Sequence, residues 1–89
     1  MTNELQTFIK DQLGRLNADQ IDMVIHYTEN DILYEFDQVK WGHVELTENL
    51  LNFTIKVSRG DSLTIEDCLT FLFEHYADPQ DCVDNAIEE

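Results

Sequence analysis

Apolar side chains recur every three to four positions through most of this chain, a period that predicts helices. Leu5, Phe8, Ile9 and Leu13 fall on one helical face, with Gln12 between them. They predict a first helix from Glu4 to Leu16, capped by Thr2 or Asn3 and ended by Asn17. Ile21, Val24 and Ile25 share a face and predict a second helix from about Ala18 to Tyr27. Asp19 and Asp22 stand at its N-terminal end, where the helix dipole favours negative charge. The polar run Thr28 to Asp31 reads as a connection.

The pattern is mixed in the middle of the chain. Ile32, Tyr34 and Phe36 alternate with Leu33, Glu35 and Asp37, yet Ile32, Phe36 and Val39 also fit one helical face. Residues 51–58 alternate cleanly, which is strand-like, while Leu46, Leu50, Phe53 and Val57 fit a helix. The end signals favour the helix: Thr47 as cap, Glu48 in the first turn, Lys56 and Arg59 in the last, and Gly60 beyond. Further on, Thr64 with Asp67 three residues later opens a helix whose apolar stripe is Leu69, Leu72, Phe73 and Tyr76. Asp78-Pro79 starts a last short helix toward Ile87. The expected fold is mainly α, a single acidic domain over residues 1–89 built as a small compact bundle of about five short helices. The alternative is α+β, with a β-hairpin within residues 31–58.

Composition bears on function. Nineteen acidic residues stand against five Lys and Arg, for a net charge of −14. With 43% hydrophobic residues and ten per cent aromatics, the chain is too apolar for a disordered acidic tail. It folds, and it carries a strong negative field at the cost of self-repulsion. Nucleic-acid binders set Lys and Arg against phosphate, whereas Lys10, Arg15, Lys40, Lys56 and Arg59 are scattered here. Direct nucleic-acid binding is not expected, and an anionic membrane would repel the same surface. Met1-Thr2-Asn3-Glu4 lacks a basic region and apolar run, so the expectation is a cytoplasmic protein, with Cys68 and Cys82 as free thiols.

The acids are unevenly placed. From Leu16 to Val39 there are Asp19, Asp22, Glu29, Asp31, Glu35 and Asp37, with no base. From Gly60 to Glu89 the acids are Asp61, Glu66, Asp67, Glu74, Asp78, Asp81, Asp84, Glu88 and Glu89, again with no base. Each block can fold into a continuous anionic face.

The short motifs carry less. Gly60-Asp61-Ser62-Leu63 resembles the signature of the esterases named for those four letters, but no Asp-x-x-His follows Ser62 to activate it. Asp61-Ser62-Leu63 at the head of an acidic helix, together with Phe8 to Gly14, resembles the acyl carrier proteins. That resemblance implies a helical bundle with phosphopantetheine on Ser62; the separation of the two stretches is more than twice the family's. Arg59-Gly60-Asp61 spells an integrin-binding tripeptide but reads as a helix stop and a turn. Cys68, His75 and Cys82 lack the close pairing that zinc sites use, and no calcium-binding loop is present, so no metal is expected.

The leading expectation is a non-enzymatic inhibitor or adaptor, with no catalytic residues and no cofactor, that mimics DNA. Its carboxylates would stand in for phosphates and block the basic groove of a nucleic-acid-binding protein, such as a nuclease, repair enzyme or CRISPR-type complex. Small, acidic proteins of this kind suit phages and mobile elements that counter restriction or CRISPR systems, acting in the host cytoplasm. The residues assigned to partner binding are Asp19, Asp22, Glu29, Asp31, Glu35 and Asp37 on one face, and Glu66, Glu74, Asp78, Asp81 and Asp84 on the other. Tyr34, Trp41 or Tyr76 would supply an apolar centre if exposed. The alternatives are a carrier modified on Ser62 and a small structural or adaptor subunit, and a homodimer is open in either case.

Overall fold

Five helices and no strand make up residues 3–88, the part of the chain that the computed structural model describes. They are α1 (Asn3–Arg15), α2 (Ala18–Lys40), α3 (Glu48–Ser58), α4 (Ile65–His75) and α5 (Pro79–Ile87). The helical alternative for residues 31–58 is therefore the one adopted, and the hairpin is not. Leu51 and Ile55 show why. A strand would bury them beside Phe53 and Val57, whereas they are 38% and 44% exposed while Leu50, Phe53 and Thr54 are buried.

Capping side chains set most of the boundaries. Asn17 does not end α1; it caps α2, its side chain accepting from the Gln20 backbone N–H at 2.8 Å while Gln20 reaches back to the Asn17 N–H. Thr47 caps α3 and Thr64 caps α4, each accepting a backbone N–H at 3.0 Å. Asp78 caps α5 ahead of Pro79. The cap expected from Thr2 lies outside the described residues.

Two glycines in left-handed conformation end α2 and α3. Gly42, at φ 78°, bonds back to Val39 while His43 bonds to Gln38; Gly60, at φ 79°, bonds to Val57 while Asp61 bonds to Lys56. Both are paired 5→2 and 6→1 closures that satisfy the last carbonyls of a helix.

The run Thr28 to Asp31 is not a connection. It lies in the middle of α2, which continues through it for 23 residues. No Gly or Pro interrupts the run, and each polar side chain has a place on the helix. Thr28 is buried and donates to the Val24 carbonyl of its own helix at 2.7 Å; Glu29 and Asp31 are half-buried and Asn30 is exposed. At 1.5 Å per residue α2 is about 34 Å long, close to the longest dimension of the molecule, 36 Å.

α4 is the hub. It packs against each of the other four helices, and α2 also packs against α3 and α5. Cys68, Leu69, Phe71 and Leu72 of α4 are fully buried, joined in the core by Val24, Ile32, Leu50, Phe53 and Val83. An element with neighbours on several sides buries more than one stripe, so Phe71 is buried though it stands outside the Leu69–Leu72–Phe73–Tyr76 pattern. In α1 the buried residue is Gln12, and Leu13 is 38% exposed. Gln12 keeps its hydrogen bonds by pairing with Gln80 of α5 and with Arg15 at 2.9 Å.

Candidate functional site

α2 sorts its six acids by helical position. Asp19, Asp22 and Asp37 are exposed, while Glu29, Asp31 and Glu35 are half-buried. The last two face α4. Glu35 Oε1 lies 3.1 Å from His75 Nε2, and the Tyr76 hydroxyl donates to Asp31 Oδ2. The same hydroxyl lies 3.4 Å from Glu35 Oε2. His75 is packed between rings, stacked on Phe71 at 5.0 Å and meeting Tyr76 edge-on at 4.8 Å. Asp31 and Glu35 thus tie the middle of α2 to the end of α4.

Burial sets the acid–base behaviour of this cluster. It raises the Asp31 carboxyl above its ordinary range, outweighing the hydrogen bond from Tyr76; nearby Glu35 raises it further and His75 opposes. The Tyr76 hydroxyl is pushed far up by burial, by its bond to Asp31 and by the surrounding carboxylates, so it remains a donor. Sequence reasoning weighed His75 only against the cysteines. The signal it passed over is spacing: Asp31 and Glu35 are one turn apart on α2, and can meet adjacent residues of a neighbouring helix.

The second block is spread over α4 and α5. Glu66, Glu74, Asp78 and Asp81 are exposed, and Asp84 is half-buried. Glu74 accepts from Asn49 of α3 at 3.1 Å, and Asp84 pairs with Arg15 of α1 at 3.2 Å. These contacts place the two acids at the seams between helices. The two blocks approach each other where α2 meets α5. Asp31, Asp81 and Asp78 all act on the Cys82 thiol, which burial first and these charges next push up to about 11. On the same side an open groove of about 420 Å³ is lined by Met23, His26, Tyr27 and Asn30 of α2 and Ala86 of α5.

The remaining candidates sit as follows. Ser62 is exposed in the segment between α3 and α4, and the cap of α4 is Thr64. Cys68 is buried, its thiol raised to about 12 mainly by burial, and Cys82 is half-buried; both are free. Among the described residues no group of three His, Cys, Asp or Glu is arranged to hold a metal ion, and no helix is long and apolar enough to cross a membrane. Four of the five bases lie beside acids: Arg15 by Asp84, Lys40 by Asp37, Lys56 by Asp67 and Arg59 by Asp61. Among the described residues, most of the carboxylates therefore face water with no Lys or Arg beside them. No family model, curated protein or solved structure matches the chain, so its functional reading rests on these residues alone.

Proposed function

We propose that this protein is a non-enzymatic inhibitor of the DNA-mimic type, which occupies the basic groove of a nucleic-acid-binding protein with its surface carboxylates. The observation that carries this reading is the net charge of −14 on a packed helical scaffold whose acids lie mostly at the surface. Fixed helices hold those charges at set separations, as a duplex holds its phosphates at one charge per about 1.7 Å of axis. Arg in the partner's groove grips a carboxylate by the same two-pronged hydrogen bonding that it uses on phosphate. Opposite fields speed the encounter and make it sensitive to salt.

The faces assigned to this role are reduced by the geometry to their exposed members. Asp19, Asp22 and Asp37 serve on α2, and Glu66, Glu74, Asp78 and Asp81 on α4 and α5. Asp31 and Glu35 support the scaffold. The test is capture from a bacterial lysate on the immobilised protein, with elution in rising salt. DNA-binding proteins released by moderate salt, and lost from an Asp19→Lys, Asp22→Lys, Asp37→Lys variant, are the expected result. Capture that withstands both salt and charge reversal on the two faces would count against mimicry.

A further inference from the structure

We propose that the outer face of α2 is the docking surface for an arginine-rich protein partner, with Tyr34 and Trp41 as platforms on which guanidinium groups stack. The proposal rests on the mimic reading and names the face and the partner chemistry which that reading leaves open.

Trp41 is the sole tryptophan of the chain and is 76% exposed; Tyr34 is 58% exposed. The two are seven residues apart: Tyr34 lies in the last turns of α2 and Trp41 is its C-cap, two turns of helical spacing further along. Asp37 lies between them, three residues from one and four from the other, and Asn30 extends the row one turn back. Leu33, 42% exposed, borders it. No buried residue of α2 belongs to this row: Val24, Thr28 and Ile32 occupy the opposite face. Two large aromatic rings left in water beside a carboxylate match the composition of interface anchors, which are enriched in Trp and Tyr.

Charge identifies the occupant. α2 carries no Lys or Arg before Lys40, and Glu45 and Glu48 follow it, both exposed. Lys40 stands beside this row, its Nζ 3.5 Å from Asp37 in an exposed pair that a two-pronged arginine would displace, and 5.5 Å from the Phe36 ring centroid. A second copy of this chain would bring its own −14 against this face, so the complement is cationic. Among cations, arginine alone joins a planar charge that stacks on Trp and Tyr with a fork that fits Asp37, and it is abundant in nucleic-acid grooves. Lysine satisfies the carboxylates and gains less from the rings.

The test titrates the full chain with an octa-arginine and an octa-lysine peptide by calorimetry, following Trp41 emission. The expected result is tighter binding of the arginine peptide by roughly 3- to 30-fold, with a change in Trp41 emission. Tyr34→Ala and Trp41→Ala should each shrink that preference by weakening arginine binding more than lysine binding, and Trp41→Tyr should restore part of it. Both side chains are exposed, so unaltered thermal melting checks that the variants fold. Equal affinity for the two peptides, or a preference that survives the double substitution, overturns the proposal while the carboxylate reading stands. Peptide binding indifferent to Asp19→Lys, Asp22→Lys and Asp37→Lys together overturns both. Concentration-dependent dimerisation that Trp41→Ala abolishes would assign the face to a second copy, and would also overturn it.

Discussion

Asp31 and the two cysteines show how burial controls the chemistry of single residues in this protein. A carboxyl whose pKa is raised on folding favours the fold in its protonated form. That contribution is complete below the ordinary value of ~3.9 and is lost as pH rises through the higher folded value. Asp31→Asn keeps an acceptor for the Tyr76 hydroxyl and removes the half-buried charge. The variant should melt at or above the wild-type temperature at pH 7, with the difference closing toward pH 4. A lower melting temperature at pH 7 would mean that the Asp31 charge stabilises the fold. The thiols give a second prediction. Cys68 is buried with its pKa near 12, and Cys82 is raised to about 11, so neither forms much thiolate at pH 8. Native protein should react with a disulfide reagent at least about a hundred times more slowly than denatured protein, which should release two thiols per chain. Rapid native labelling of either would contradict the burial.

At the scale of the elements, caps decide boundaries that hydrophobic period leaves open. Thr64→Ala removes the acceptor for the Asp67 N–H and should cost about 1 kcal/mol. Ser62→Ala, two residues earlier and exposed, should leave the denaturation midpoint unchanged. If Ser62 instead carries a phosphopantetheine group, intact-mass measurement would show an added mass that the substitution removes. Both ends of α3 and the starts of α4 and α5 were legible in the sequence because Thr47, Gly60, Thr64 and Asp78-Pro79 are local signals acting within a few residues. α2 was legible only at its start. Its polar centre reads as a connection because side-chain polarity is visible in sequence, while Tyr76, the partner that takes up Asp31, lies 45 residues away. Gly42 is the local sign that the helix runs to Lys40, with Trp41 as its cap. The burial of Gln12 and Phe71 had no local sign, since it depends on α5 and on the central place of α4. The acidic blocks were legible as sequence, but which acids turn inward was not, because that choice is set by where α4 and α5 dock on α2.

For the whole molecule, the dominant quantity is the excess of negative charge on a small folded body. Self-repulsion opposes the fold, and salt screens it over about 10 Å at 0.1 M. Raising salt from 0.05 to 0.5 M should therefore raise the melting temperature, by roughly 4–8 °C for each kcal/mol of repulsion relieved in a domain of this size. A melting temperature that falls with salt would mean that the few cation–carboxylate contacts outweigh the excess of acids. Repulsion that costs stability is retained more readily where the same field serves binding to a basic groove. The most direct test of that binding is competition. A DNA-binding protein captured by this chain is held with a labelled duplex while the chain is titrated in, at fixed salt. Stoichiometric displacement of the DNA, mutually exclusive binding, and failure of the Asp19→Lys, Asp22→Lys, Asp37→Lys variant to displace it are the expected results. A ternary complex in which the partner holds both DNA and this protein would contradict mimicry.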